Sequence, residues 1–229
     1  LFKEVLDNLG GNLEMIICGG ASLDTKYEQG LYDLGIQVIN GYGTTECSPI
    51  ITCNRLSNYK VGSAGYALEC NDVMIKDPDD EGVGEVYAKG SNVMMGYYDE
   101  PEATAETFDG EWFKTGDYGY MDKDGFLFLR GRKKNLIVLS NGKNVSPEEI
   151  EDKLLTVDYI KEVVVYEENG AITAEFFLDE NEAPDAKDRL KKDVRAINMQ
   201  LPTYKQVTKT KIRDTEFPKT TTLKIKRKY

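Results

Sequence analysis

Residues 13–39 hold two apolar runs, Leu13-Glu14-Met15-Ile16-Ile17-Cys18 and Ile36-Gln37-Val38-Ile39, on either side of a segment with helical periodicity. In that segment Leu23, Tyr27, Leu31 and Leu34 recur at the spacing that lines one face of a helix. Ser22 is placed to cap its start and Gly35 to stop it, while Gly19-Gly20-Ala21 turns the chain out of the first run. The run at 13–18 is predicted as a buried strand. Strand–turn–helix–strand then specifies part of an α/β sheet, whose loops gather at the C-terminal ends of the strands. The second strand leads into Gly41-Tyr42-Gly43-Thr44-Thr45-Glu46. Alone, this hexapeptide reads equally as a glycine turn entering an N-capped helix with acid in its first turn, or as a nucleotide site.

The texture changes between 61 and about 131. Short alternating strands at 72–75, 84–88 and 126–129 are split by glycine and aspartate, and Asp122-Lys123-Asp124-Gly125 signals a hairpin. One short helix, 101–108, interrupts them. From 133 onward a separate α+β unit is predicted. Ser146-Pro147-Glu148-Glu149 reads as a capping box with proline at the first helical position. Strands at 162–167 and 171–178 flank Asn169-Gly170 as a second hairpin, and an amphipathic helix spans about 185–200. A basic strand and tail follow.

Composition removes several classes of chemistry. The 229 residues contain no histidine, so Ser-His-Asp hydrolysis, Cys-His proteolysis and His-ligated metal sites are excluded within them. Cys18, Cys47, Cys53 and Cys70 show no CxxC spacing and read as reduced thiols without a zinc site. No apolar run is long enough to cross a bilayer, no basic-then-apolar leader opens the sequence, and a cytoplasmic location is the expectation. Net charge is −11, yet residues 203–229 carry nine Lys and Arg against only Asp214 and Glu216. A basic end on an acidic body suits a polyanion, either nucleic acid or a phosphorylated small molecule, and suits a solvated basic tail as well.

The remaining motifs are ambiguous singly. Gly19-Gly20-Ala21 could approach a nucleotide closely or be an ordinary turn. Asp117, in Lys114-Thr115-Gly116-Asp117, could accept from ribose hydroxyls or be a turn aspartate. Thr45-Glu46 could meet a phosphate and Mg²⁺, an ion that takes few oxygen ligands from protein. Gly131-Arg132-Lys133-Lys134 could meet phosphate or be surface charge.

In series these motifs are specific. Gly-Gly-Ala, Tyr-Gly-Thr-Thr-Glu, Thr-Gly-Asp, Gly-Arg-Lys-Lys and Pro-Lys-Thr-Thr-Thr-Leu-Lys, in this order and spacing, resemble the adenylate-forming superfamily of acyl-CoA synthetases, aryl-CoA ligases, peptide-synthetase adenylation domains and firefly-type luciferases. The stretches Gly84-Glu85-Val86, Gly96-Tyr97-Tyr98, 112–117, 137–151 and Thr222-Leu223-Lys224-Ile225-Lys226-Arg227 are most similar to bacterial long-chain fatty acyl-CoA ligases. The resemblance implies an α/β and α+β fold. Residues 1–132 would be the C-terminal part of the large AMP-binding domain, with an α/β segment at 1–60 and a small β-barrel-like subdomain at 61–131. Residues 133–229 would be a small mobile C-terminal domain.

It implies roles too. Tyr42 would border the adenine, with Gly43 and Thr44 beside it in the nucleotide site. Gly19, Gly20 and Ala21 would line the adenine and acyl pocket. Thr45 would bond a phosphate and Glu46 hold Mg²⁺. Asp117 would bind the ribose hydroxyls and Arg132 the ribose or phosphate. Lys134 would be the hinge, Ser140, Asn141 and Gly142 the path of the CoA thiol, and Lys224 the catalytic lysine. The implied reactants are a fatty acid, ATP and coenzyme A, with peripheral membrane contact through the lipid substrate and no nucleic acid. Neither the family's TSGTTGxPKG phosphate loop nor a GxxxxGK[ST] motif occurs in these residues. They are therefore expected to be the C-terminal part of a longer enzyme and not to turn over alone. Two other readings stay open: a ligase for another acid or for an acyl-carrier protein, and a non-catalytic remnant that binds nucleotide or a partner.

Overall fold

A computed structural model describes residues 2–20, 23–140, 142–179, 183–221 and 224–227. It divides into two compact units, 1–133 and 134–229.

The first unit opens with α1 (Lys3–Asn8), then β1 (Met15–Cys18), α2 (Thr25–Asp33) and β2 (Gln37–Tyr42). β1 and β2 pair in parallel, Met15 opposite Gln37 and Cys18 opposite Asn40, as a helical crossover requires. Ser22 lies outside the described residues. The cap of α2 is Asp24, whose carboxylate accepts the Lys26 N–H at 2.7 Å. Gly35 ends the helix as expected. At φ +84° its N–H donates to Tyr32 O and the Ile36 N–H to Leu31 O, the paired bonds of a Schellman stop. The expectation of a buried first strand fails. β1 is the edge of its sheet, with Met15 40% and Ile17 71% exposed.

β3 (Thr52–Cys53) and β4 (Tyr66–Ala67) extend this sheet antiparallel, in the order β1-β2-β3-β4. A second sheet holds β5 (Asn71–Lys76), β6 (Gly84–Gly90), β7 (Phe108–Asp109), β8 (Trp112–Met121) and β9 (Leu127–Arg132), with α3 (Pro101–Thr107) between β6 and β7. β8 is its spine. Phe113, Thr115, Asp117 and Gly119 alternate onto the buried face with period two. A core of Tyr42, Ile51, Val86, Ala88, Phe113 and Leu127 joins the two sheets.

In the second unit, β10 (Ile137–Val138) and β11 (Asn144–Val145) form a short hairpin before α4 (Pro147–Leu154). β12 (Ile160–Glu168) and β13 (Ala171–Leu178) pair antiparallel across Asn169-Gly170, both at positive φ, and β14 (Lys209–Arg213) joins β13 in parallel after α5 (Ala186–Asn198). Ile150, Leu154, Val163, Val165, Phe176, Leu190 and Val194 fill the core between sheet and helices. Each such side chain contributes about 1.5–3 kcal/mol on burial. The expected capping box does not form. Ser146 makes no side-chain cap bond, and its hydroxyl donates to the Glu148 carboxylate at 3.1 Å. Among the described residues no helix is long and apolar enough to cross a membrane.

Much of the basic end is already matched by carboxylates of its own unit. Lys205 pairs with Glu149, Lys211 with Glu168, Arg213 with Glu175, Lys219 with Glu162 and Glu216, and Arg227 with Glu151 and Glu148.

Candidate functional site

β8 and β9 run antiparallel with Asp117 directly opposite Arg132. A bulge in β8 aims the carboxylate. Lys114 to Tyr118 of β8 spans the same stretch as Tyr87 to Glu85 of β6, and the extra residues are taken up where Gly116 sits at φ +69°. Thr115 locks the bulge: its hydroxyl donates to Val86 O at 2.7 Å and accepts the Asp117 N–H at 3.1 Å. Asp117 is thus a strand residue facing inward, not a turn aspartate.

Its two carboxylate oxygens meet different donors. Oδ1 takes Arg132 Nε at 2.8 Å, and Oδ2 takes the Tyr42 hydroxyl at 2.7 Å. The Asp117 side chain is 10% exposed and that of Arg132 50%, so the pair is buried at one end and open at the other. Burial first, then the adjacent Asp117 charge, pushes the Tyr42 phenol well above the usual tyrosine range, which keeps it a donor.

The segment after β2 is fixed from beneath. A Cβ on Gly43 would lie 1.9 Å from Pro49 O, so only glycine lets the backbone pass. Thr45–Cys47 is a single 3₁₀ turn and not the start of a longer helix. Thr44 precedes it without a side-chain cap bond, and its buried Oγ1 has no hydrogen-bond partner by geometry, although it lies near enough to Glu46 to help lower that carboxyl. Glu46 is tied through its backbone O to the Met94 N–H at 2.7 Å and through Oε1 to the Tyr97 hydroxyl at 2.9 Å. Partial burial raises the Glu46 carboxyl. Its own backbone N–H, Thr44, Tyr97 and the Arg132 charge outweigh that, and the net shift is downward. Tyr42, Thr44, Glu46, Asp117 and Arg132 therefore share one electrostatic neighbourhood. Thr45 is exposed beside it.

Gly19 and Gly20 follow β1, where a Cβ on Gly19 would lie 3.7 Å from Gly41 O. The structure thus brings the first glycine turn beside the strand that ends in Tyr42. Ala21 lies outside the described residues, as does Asn141. At the junction, Lys133 binds Glu85 of β6 at 2.6 Å, whereas Asn135 donates to Glu148 of α4 at 2.5 Å. Exposed Lys134 lies between residues anchored in different units. Ser140 and Gly142 occupy the exposed turn of the β10–β11 hairpin, with Gly142 at φ +79°. Lys224 is exposed in the second unit, just before the Lys219–Ile225 bridge. A cavity of about 470 Å³ lined by Thr156, Tyr159, Arg189 and Asp193 includes none of these residues.

Thr115 and Tyr97 were not picked out as site residues. The period-two alternation of 113–119 carries the signal for Thr115; Tyr97 reaches Glu46 across 51 residues, and no local pattern reveals that.

Residues 2–98 match the family model described as AMP-binding enzyme, and residues 134–229 that of the AMP-binding enzyme C-terminal domain. A long-chain-fatty-acid–CoA ligase of Mycobacterium bovis is 36% identical over 165 residues, which is 72% of this chain and 27% of that protein. The o-succinylbenzoate CoA synthetase of Bacillus subtilis, solved with the acyl-adenylate intermediate OSB-AMP, superposes with a TM-score of 0.80 at 28% identity, over 97% of this chain and 48% of that one. The same synthetase with ATP and magnesium ion superposes with a TM-score of 0.77 at 27% identity, over 97% of this chain and 49% of that one. The chain thus spans between about a quarter and a half of the length of these proteins.

Proposed function

Because this chain belongs to the AMP-binding, adenylate-forming enzymes, we propose that it is part of an acid–CoA ligase whose acid is a long-chain fatty acid. The observation that carries the reading is the Asp117 carboxylate, held between Tyr42 and Arg132, with the Arg132 end of the pair open to solvent. That geometry suits the two ribose hydroxyls of AMP. Tyr42 borders the base, Gly19 and Gly20 line the adenine and acyl pocket, Thr44 and Thr45 meet phosphate, and Arg132 reaches ribose or phosphate.

The residues at 44–46 fit a magnesium–phosphate group. An orphaned buried hydroxyl lies beside a carboxylate held in its ionised form. Among the described residues no group of three or more His, Cys, Asp or Glu could hold a metal by itself, which suits an ion that takes one carboxylate from the protein and the rest of its shell from phosphate and water. Bound there by Glu46, Mg²⁺ would neutralise charge on the departing pyrophosphate.

The proposed reaction has two steps. The fatty carboxylate attacks the α-phosphate of ATP, giving acyl-AMP and pyrophosphate. The CoA thiol then attacks the acyl carbon and AMP leaves. Lys224 would steady negative charge at the carboxylate and α-phosphate in the first step. The Ser140–Gly142 turn would border the thiol arm in the second. Lys134, between two differently anchored residues, would be the hinge that exchanges these roles.

The long-chain assignment is favoured by the similarity to the M. bovis ligase and by the Thr222-Leu223-Lys224 form of the tail. The likeness to a succinylbenzoate synthetase keeps an aryl acid as the second reading. ATP–pyrophosphate exchange by the full-length enzyme, with palmitate, benzoate or o-succinylbenzoate, tests both. Palmitate is expected to give the fastest exchange, and the 229 residues alone, lacking a phosphate loop in their sequence, none. Exchange with an aryl acid only would move the substrate class. Exchange with no acid, alongside retained AMP binding, would replace the ligase reading with nucleotide binding.

A further inference from the structure

The strap that carries Lys224, described at 217–221 and 224–227, belongs to the second unit, and both of its feet stand on buried carboxylates. At the first foot, Glu162 of β12 accepts the Phe217 N–H through Oε2 at 2.7 Å and holds Lys219 Nζ through Oε1 at 2.5 Å. At the second, Glu151 of α4 takes a two-pronged bond from Arg227, with Nη1 on Oε1 at 2.9 Å and Nη2 on Oε2. The Glu162 side chain is 10% exposed and that of Glu151 8%. Between the feet the strap closes on itself. The Thr220 N–H donates to Lys224 O at 2.8 Å, the Lys224 N–H to Thr220 Oγ1 at 3.1 Å, and the Lys226 N–H to Pro218 O at 2.7 Å.

The feet are also tied to each other. Glu151 Oε1 accepts the Val165 N–H of β12 at 2.6 Å, so α4 and the strand that bears Glu162 are joined at the same carboxylate. Glu148, one helical turn earlier, lies 3.6 Å from Arg227 and accepts from Ser146 and Asn135. Two carboxylates facing one guanidinium, one of them buried, form an arrangement that simple packing would not select. Buried ion pairs contribute little net stability, because desolvation offsets their attraction, and an apolar pair of equal volume serves a core as well. Burial pushes Glu151 up to about 7 even with Arg227 and the Val165 N–H drawing it down. What the pairs do supply is geometry, since a two-pronged guanidinium–carboxylate bond fixes direction as well as distance.

We propose that Glu151 and Glu162 are positioning residues for Lys224, clamping the two ends of the 217–227 strap so that the amine is presented from a fixed backbone. The catalytic part of this inference rests on the ligase reading given above; the clamp itself does not.

Two measurements at pH 8 separate them. The first is amide hydrogen exchange on the 229-residue chain. Glu151→Gln, Glu162→Gln and Arg227→Ala are each expected to speed exchange across 217–227 at least tenfold, well beyond any change in β12 and β13, even where loss of one partner of a buried pair lowers the melting temperature. Glu149→Gln, which breaks the equally local Lys205 pair without touching the strap, should leave 217–227 unchanged. The second splits the half-reactions of the full-length enzyme. Acyl-adenylate formation should fall tenfold or more in the clamp variants, with transfer from supplied acyl-AMP to CoA within twofold of wild type, and Arg227→Lys should recover most of what Arg227→Ala loses. Unchanged exchange at 217–227 would overturn the clamp outright. Faster exchange with equal loss in both half-reactions would reduce it to a structural tie. A Lys224→Ala variant that still adenylates at the wild-type rate would remove the ligase role of Lys224 and leave the exchange result standing.

Discussion

Replacing Thr44 with valine should strengthen the fold and weaken the site. The Thr44 hydroxyl oxygen is buried and makes no hydrogen bond of good geometry, although it lies near enough to Glu46 and Cys47 to draw both groups down. A buried hydroxyl left unpaired costs roughly 1–3 kcal/mol, and valine removes it while keeping the branched shape. The backbone at Thr44, φ −136° and ψ 161°, is extended, which a β-branched side chain adopts readily. The low end of the range applies, since the hydroxyl also helps to lower the nearby Glu46 carboxyl, so Thr44→Val should gain about 1 kcal/mol in the first unit. Urea unfolding followed by fluorescence reads this as a rise in midpoint at unchanged slope. In the full-length enzyme the same variant should bind AMP more weakly. A lost hydrogen bond to a charged phosphate is worth about 1.5–3 kcal/mol, and about 1.4 kcal/mol is a decade in affinity, so calorimetry should show a tenfold loss or more. A destabilisation of 1 kcal/mol or more would mean the hydroxyl is bonded within the fold. Unchanged AMP affinity would mean that nothing in the nucleotide replaces the missing partner, and the phosphate role would fall with it.

Other perturbations act on the same framework. Gly43→Ala drives a methyl group to within 1.9 Å of Pro49 O and should destabilise the first unit by more than about 2 kcal/mol; a melt within 2 °C of wild type, about the shift of 1 kcal/mol in a domain of this size, would contradict the packing. Tyr42→Phe strips one donor from buried Asp117 and should cost about 1.5–3 kcal/mol by denaturant titration, whereas a neutral effect would mean that Arg132 alone satisfies the carboxylate. Trypsin is expected to cut first at Lys133 or Lys134, between the anchors on Glu85 and Glu148, and to leave a stable C-terminal piece. First cuts scattered through 150–200 would place the domain boundary elsewhere.

Local rules carried much of the architecture. Gly35 stops α2 because the Schellman bonds need a left-handed residue, and Asn169-Gly170 turns the β12–β13 hairpin because both positions need positive φ. These demands are local, so they show in the sequence. The failures also have physical causes. The apolar run of β1 implied burial, but whether a strand is covered depends on what packs against it, and Ile17 lies 71% exposed. Ser146 promised a capping box, yet Glu148, drawn also by Asn135 and Arg227, takes its hydroxyl instead. Asp117 stayed open between a binding residue and a turn aspartate because glycine at positive φ serves a bulge inside a strand as well as a turn between strands. For the site, motif order supplied the residues Tyr42, Glu46, Asp117 and Arg132. It did not supply Tyr97 or Thr115, which act on them through contacts set only by the fold.

The anchoring contacts also bear on how one chain could serve two steps. Within the first unit, Asp117 is fixed by donors on β2 and β9, and the 44–46 segment by Met94, Tyr97 and the Pro49 backbone beneath Gly43. Within the second, the strap that bears Lys224 is fixed at Glu151 and Glu162. Lys133 is secured to the first unit and Asn135 to the second, which supports the proposal of Lys134 as the hinge. On the proposed reading, exchange between adenylation and thioester formation then needs only rotation there, with each set of reactive groups carried intact. Breaking the Lys133–Glu85 tie would lengthen the joint without touching a single proposed reactive residue. Glu85→Gln should therefore alter the balance between the half-reactions while leaving AMP affinity unchanged, and a loss of AMP affinity in that variant would show that the joint and the nucleotide site are not separable.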